Sequence, residues 1–291
     1  KIKHNKVQKV ILRKLPKTFL KNPRLSTHKN LSHEILEIIK YKKLQNFLRN
    51  NLIQNIFFIH NRLFILHELK ELKKDKNWKL WKSLINENDV GKPIRYFLYQ
   101  ESSGNRIRQV YIIKKFIEDC NNCIDFRKVK RVIEIGGGYG CMADVFSKFK
   151  KNINYTIYDM FEVNLLQYYY LRMNNHKPFL NKVDKKLNLI NKISDLNKFI
   201  RVKNNYIFIA NWSISEFPLK FRYQFITAIK NAKFTIISFQ ENFEGINNYK
   251  FFKKIIKNLK SNYISKIQPL KYYNNAFLNK NKHYMLTIIK K

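Results

Sequence analysis

Seven glycines are spread through a chain of 291 residues, yet four of them, Gly136, Gly137, Gly138 and Gly140, fall within five positions. The run before them, Lys130-Arg-Val-Ile-Glu-Ile135, sets β-branched Val132, Ile133 and Ile135 where a buried parallel strand needs them. Behind them Met142, Val145, Phe146 and Phe149 recur at helical spacing. A strand that turns through glycines into a helix is the opening unit of a doubly wound α/β sheet. Such sheets bind ligands at the carboxyl ends of their strands. Glycine is needed there because only a residue without Cβ lets the backbone turn sharply and touch a ligand.

The spacing discriminates between ligands. A nicotinamide fingerprint puts a third small residue at the position held here by Cys141, an imperfect fit. The spacing that fits is Glu-x-Gly-x-Gly-x-Gly, formed by Glu134, Gly136, Gly138 and Gly140. A second strand should then end in an acid for ribose hydroxyls, about 20 residues on by analogy with dinucleotide folds. Tyr155-Thr-Ile-Tyr-Asp159 supplies it 19 residues after Gly140. Acids number only 20 in the whole chain, so finding one at each expected place is informative.

This order of elements resembles class I S-adenosylmethionine-dependent methyltransferases. The segments Leu166-Gln-Tyr-Tyr-Tyr-Leu171, Asn211-Trp-Ser-Ile-Ser-Glu216 and Gln240-Glu-Asn-Phe-Glu-Gly-Ile-Asn-Asn248 narrow the likeness. Together they are similar to the sugar O-methyltransferase family of bacterial polysaccharide gene clusters. The resemblance covers roughly residues 88 to 291 and departs at Phe161, where proline is expected. It implies a Rossmann-like, mostly parallel sheet with an antiparallel last strand. It also implies S-adenosylmethionine as cofactor, held by Glu134, Gly136, Gly137, Gly138, Tyr139, Gly140, Asp159, Met160 and Asn211. The implied acceptor is a sugar hydroxyl of a surface glycan or of its nucleotide- or lipid-linked precursor.

Acceptor-side candidates follow the later strands. Trp212 could stack on a sugar face, while Ser213, Ser215, Gln240, Glu241 and Asn248 could bind hydroxyls. Glu216 could accept a proton, or merely cap a local helix. An antiparallel last strand starts at the edge where the parallel strands end, so His283 should face the site, as a base or as a bystander in a hairpin. His28, His33, His60, His67 and His176 have weaker positional claims. No tight carboxylate or histidine cluster suggests a divalent metal site.

Residues 1–88 read as a basic helical extension and 89–291 as the catalytic domain. Leu31 to Lys74 carries apolar residues at helical spacing, predicting two or three amphipathic helices that either cap the catalytic domain or serve as a dimerisation or membrane-surface element. Asn86 to Gly104 is polar and turn-rich, a candidate lid. The stretch from about 174 to 203 is rich in lysine and asparagine and has little pattern. Helices are expected near 219–230 and 247–260, with strands at 206–210, 234–239, 263–270 and 284–289.

The net charge of +38 is open to three explanations. The enriched types (Lys, Asn, Ile, Phe, Tyr) share A/T-rich codons, and the lysines are scattered rather than gathered. Attraction to an anionic glycan or lipid surface is the second, and RNA binding the third. An RNA methyltransferase acting on ribose 2′-O or guanine N7 is accordingly one rival function, and a non-catalytic cofactor-binding subunit is another. The pair Cys120 and Cys123 lacks the further ligands that zinc needs and reads as reduced structural thiols. Apolar runs such as Tyr206 to Ala210 are too short to span a membrane, and the lysine-broken start is unlike a signal peptide, so the cytoplasm is the expected compartment.

Overall fold

The computed structural model describes residues 2–15, 27–41, 43–57, 63–120, 128–182, 185–201, 205–259, 261–270 and 281–291. The chain opens with α1 (Ile2–Leu12), α2 (Thr27–Lys40), α3 (Asn51–Phe57), α4 (Leu63–Lys74) and α5 (Trp78–Ile85). A short hairpin, β1 (Arg95–Tyr96) and β2 (Tyr99–Ser103), leads into α6 (Gly104–Asp119). The alternating part then runs β3 (Arg131–Ile135), α7 (Cys141–Phe149), β4 (Asn154–Tyr158), α8 (Phe161–Met173), β5 (Phe179–Leu180), β6 (Leu187–Ile190) and α9 (Ile193–Arg201). It continues with β7 (Tyr206–Asn211), α10 (Leu219–Arg222), α11 (Ile226–Asn231) and β8 (Phe234–Gln240). The hairpin β9 (Asn242–Phe243) and β10 (Ile246–Asn247), then α12 (Asn248–Lys257), β11 (Tyr263–Pro269) and β12 (His283–Lys290), complete it.

The main sheet has the order β11-β12-β8-β7-β3-β4-β6-β5. Strands β3, β4, β6, β7 and β8 pair in parallel, while β12 runs antiparallel between β8 and β11. The fold is therefore α/β and Rossmann-like, doubly wound with one reversed strand. Alternation along β3 divides the core between two faces. Val132 joins α6, α7, α8 and the N-terminal helices in one cluster, whereas Ile133 and Ile135 join α9, α11 and α12 in the other. Glu134 shares the parity of Val132 and so faces the helix-rich side.

Several elements differ from the sequence expectation. The stretch after 174 contains β5, β6 and α9, because Leu187 and Leu189 join the core on one side of the sheet and Leu196 and Ile200 the core on the other. The helix expected at 219–230 is broken into α10, a single tight turn and α11. The polar segment 86–104 is tied down: Ser103 caps α6 through its hydroxyl, and its N–H donates to buried Glu87 at 2.8 Å. Cys120 is a buried thiol, while Cys123 lies outside the described residues.

A buried ion pair joins the helical layer to the sheet helices. Arg106 on α6 donates to Asp144 on α7 at 2.7 Å, and His176 and Lys148 lie at 2.7 and 2.9 Å from the same carboxylate. Burial alone would raise the Asp144 carboxyl, but the His176 bond and the Arg106 and Lys148 charges hold it well below the usual carboxylate range. Asp144→Asn leaves the Arg106 charge buried without its counter-ion and should cost about 3–5 kcal/mol in denaturant unfolding near neutral pH. The folded carboxyl is depressed, so its contribution is present above the unfolded value and is lost as pH falls below about 4. The difference between variant and wild type should therefore shrink in acid.

Candidate functional site

The glycine turn leaves the carboxyl end of β3 with little room for side chains. The Gly136 N–H donates to the Tyr158 carbonyl at 2.9 Å, locking the turn to the end of β4. Gly136, Gly138 and Gly140 have φ of 67°, 54° and 96°, in the left-handed region that side chains disfavour. A Cβ on Gly136 would overlap the Cβ of Ser213, and one on Gly137 would lie 2.7 Å from Ile157. Phe57, ending α3, stands over Gly138.

Two acids flank this turn. Glu134 is 3 % exposed and accepts a 2.9 Å hydrogen bond from the Tyr155 hydroxyl. Burial, with some repulsion from Asp159, pushes its carboxyl up to about 8 against the Tyr155 bond. Asp159 directly follows β4 and accepts from the Met160 N–H at 2.9 Å and from Gln167 Nε2 at 2.8 Å. Burial again dominates and raises it to about 7, although Met160, Gln167 and the Gly137 N–H favour the charged form. Gln167 also donates to the Gly138 carbonyl at 2.9 Å, so one side chain ties the turn to the acid. Around them, Asn164 Oδ1, Gln167 Oε1 and Asn191 Oδ1 are buried acceptors with no hydrogen-bond partner among the described residues. Unmet buried acceptors are costly and fit a ligand rich in N–H and O–H donors.

Tyr139 departs from the expectation. Its ring is 1 % exposed, its hydroxyl accepts from Asn105 at 2.9 Å, and it packs edge-on against Tyr170. The side chain belongs to the core, leaving only its backbone in the turn.

The later strands bring their candidates to the same edge. Asn211 accepts from Ser238 at 2.9 Å and donates to Gln109 at 3.3 Å. Trp212 follows with φ of 54°, its N–H donating to the Ser238 carbonyl at 2.7 Å. The Ser213 hydroxyl donates to the Ile135 carbonyl, bracing the glycine turn. Ser215 and Asn248 are fully buried and engaged within the protein. Ser215 donates to Gln240 Oε1 at 3.0 Å, while Asn248 donates to the Gln240 carbonyl at 2.8 Å and accepts from Arg222 at 2.5 Å. These two cannot also hold a sugar, and they act by fixing Gln240. Gln240 in turn donates to Glu216 at 3.3 Å. Glu216 is open to solvent on one side; desolvation on the other, aided by Glu244, pushes its carboxyl up to about 7 against the Gln240 bond. Glu241 is half-buried beside Tyr284.

His283 pairs with Gln240 across β12 and β8. Its Nδ1 lies 2.8 Å from Trp212 Nε1, and an indole nitrogen can only donate. That bond occupies the imidazole lone pair and fixes the ring proton on Nε2. Burial and the nearby Arg108 charge lower its pKa to about 3, so it stays neutral. A histidine so held is a poor proton acceptor, which leaves Glu216 as the base candidate. His176 serves the Asp144 cluster, His33 and His67 are exposed, and His60 lies outside the described residues.

Sequence reasoning passed over Arg108, Glu68, Gln109, Gln167 and Arg222. Glu68 had a readable signal: it sits on the apolar stripe of Ile65, Leu69 and Leu72, where a carboxylate is out of place unless paired. Gln167 lies within the Leu-Gln-Tyr-Tyr-Tyr-Leu segment, yet nothing in that segment alone gives it a role.

No protein-family model matches the chain, and no curated protein matches it. Solved structures do align with it. The magnesium protoporphyrin IX methyltransferase of Synechocystis PCC 6803, solved with bound SAM, is 9% identical over 80% of this chain and 100% of its own, with a TM-score of 0.43. The methyltransferase domain of bacterial CtHen1-C is 11% identical over 63% and 98%, with a TM-score of 0.44. The precorrin-6y C5,15-methyltransferase of Geobacter metallireducens GS-15 is 11% identical over 56% and 80%, with a TM-score of 0.37. The fold assignment itself rests on the strand order and the reversed β12. It is a Rossmann-like α/β fold with one reversed strand.

Two outcomes follow for the turn. Gly136→Ala should lose about 1–3 kcal/mol in thermal unfolding from backbone strain, with more from the Ser213 overlap. Glu134 binds its proton more tightly folded, at about 8, than at the ordinary 4.5. Its contribution is thus present below the ordinary value and lost as pH rises through about 8. Glu134→Gln stays neutral, so its Tm should gain on wild type between about pH 5 and about pH 8. An equal offset at both pH values would mean that folded Glu134 is ionised throughout.

Proposed function

We propose that this chain is an S-adenosylmethionine-dependent O-methyltransferase whose acceptor is a sugar hydroxyl of a surface glycan or its nucleotide- or lipid-linked precursor. The observation that carries the cofactor reading is the pair Glu134 and Asp159 at adjoining strand ends, with the glycine turn between them and unmet acceptors around them. Asp159 suits ribose hydroxyls, and Asn164, Gln167 and Asn191 suit further donors. Both acids would set a local negative field for a sulfonium cation in a chain of net charge +38. S-adenosylmethionine, when bound, supplies a methyl group on a sulfonium that a hydroxyl oxygen can take by direct displacement.

The chain's own tasks are then alignment and proton removal. Alignment of reactants is worth roughly 7–11 kcal/mol in general. Trp212 and Glu241, after the ends of β7 and β8, offer an aromatic face and a polar group suited to a sugar ring, while buried Gln240 has both amide atoms engaged on Ser215 and Glu216. Glu216, titrating near neutrality and oriented by Gln240, suits the removal of a hydroxyl proton. The likeness of the Trp212 and Gln240 segments to sugar O-methyltransferases supports the same acceptor class. The high positive charge favours RNA as the second reading.

Transfer of labelled methyl groups from S-adenosylmethionine tests both readings, with a glycan extract and total RNA offered in parallel. Label in the glycan is the expected result, and label confined to RNA would replace the sugar reading. Asp159→Ala should weaken cofactor binding by about tenfold or more, through loss of hydrogen bonds to a charged acceptor. Glu216→Gln should lower kcat by roughly 10²–10⁴-fold with cofactor affinity retained. Cofactor binding without transfer to either extract would point to a non-catalytic subunit.

A further inference from the structure

Arg108 on α6 and Glu68 on α4 form a buried, two-pronged ion pair. Nε lies 2.8 Å from Oε2 and Nη2 lies 2.6 Å from Oε1, with the residues 0% and 1% exposed. A pair of this kind is a poor source of stability, because the desolvation of two charges offsets much of their attraction. Apolar side chains would join two helices as well. What distinguishes this pair is its other neighbour: the Arg108 guanidinium lies 5.5 Å from the ring centre of Trp212. An arginine over an indole face is an attractive contact, strengthened where water is excluded.

Trp212 needs such support. Its φ of 54° is a conformation that bulky residues rarely adopt, and its ring is tethered at the far edge through Nε1 to His283. The order Glu68, Arg108, Trp212, His283 is therefore continuous, reaching from the N-terminal helices to the start of β12. Glu68 orients the guanidinium, the guanidinium holds the indole plane, and the indole N–H decides which imidazole nitrogen carries the proton.

We infer that Glu68 and Arg108 are positioning residues of the acceptor site, setting the Trp212 ring and, through it, the Nε2–H tautomer of His283. The effect on turnover rests on the function proposed above; the effect on the tautomer does not. Arg108→Lys keeps the charge but loses the planar fork, and Glu68→Gln keeps the shape but loses the counter-charge. Trp212→Phe keeps an aromatic ring and removes the N–H together with the second ring of the indole.

The experiment uses the full chain with nitrogen-15-labelled histidine, reading the His283 tautomer by NMR near neutral pH. Affinity for S-adenosylhomocysteine is measured by calorimetry alongside. Wild type should show Nε2–H alone. Each of the three variants should show a mixture with Nδ1–H and keep S-adenosylhomocysteine affinity within about twofold, while kcat/KM for the acceptor falls by about tenfold or more. Should a single replacement unfold the chain, Glu68→Gln with Arg108→Met leaves no lone buried charge and should give the same mixture. The inference is overturned if Trp212→Phe changes the tautomer while the Glu68 and Arg108 variants keep the wild-type signal. The pair would then be a plain helix staple. Loss of stability without a change in tautomer would overturn it equally. Wild type that binds S-adenosylhomocysteine but transfers no methyl group would refute the proposed function and leave the tautomer result to decide this one.

Discussion

Burying a carboxyl group at the end of a central strand is unfavourable unless partners or a bound cation offset it. The chain does this twice side by side, at Glu134 and Asp159, and the surrounding structure is arranged around that expense. Tyr155 and Gln167 supply the hydrogen bonds, while the glycine turn brings backbone N–H groups close because nothing else fits there. Near pH 7 Glu134 is left mostly neutral and Asp159 only partly charged. A positively charged ligand would tip both towards the ionised form, so binding and proton release are linked by the same geometry.

The contrast between surface and interior is chemical. Lysine dominates the basic residues overall, yet the largest fully buried bases are Arg106, Arg108 and Arg222. Each is matched to fixed acceptors: Asp144, Glu68, or the Asn248 side chain with the Ser215 carbonyl. Guanidinium suits this use because its planar fork meets two acceptors in set directions, which an ammonium cannot do. The scattered lysines can thus follow nucleotide composition, while the arginines inside are constrained by partners.

What could be read in advance follows the same division. The strand, glycine turn, helix and second acid were legible because each is a local signature with a steric or electrostatic cause. The reversed final strand was legible because the 13 residues between the strands expected at 263–270 and 284–289 are too few for a crossover helix but enough for a hairpin. Strand β6 was hidden, since Leu187, Leu189 and Ile190 span only four residues and Asn188 interrupts them. Side-chain direction was hidden more deeply. Nothing local to Tyr139 says that Asn105 will claim its hydroxyl, and nothing near Ser215 or Asn248 announces Arg222. His283 was expected at the right edge, but its occupied lone pair depends on Trp212, 71 residues away.

The position of β12 has a consequence for how the chain is made. It occupies the slot between β8 and β11, both of which precede it in sequence. Until β12 emerges from the ribosome, the facing edges of β8 and β11 carry unpaired backbone groups, and an open strand edge invites pairing with another chain. β8 is buried along its whole length in the finished protein, so its exposed interval is an apolar one. The nascent chain is therefore most prone to aggregate in that interval, and the same late strand that closes the sheet delivers His283 to Trp212.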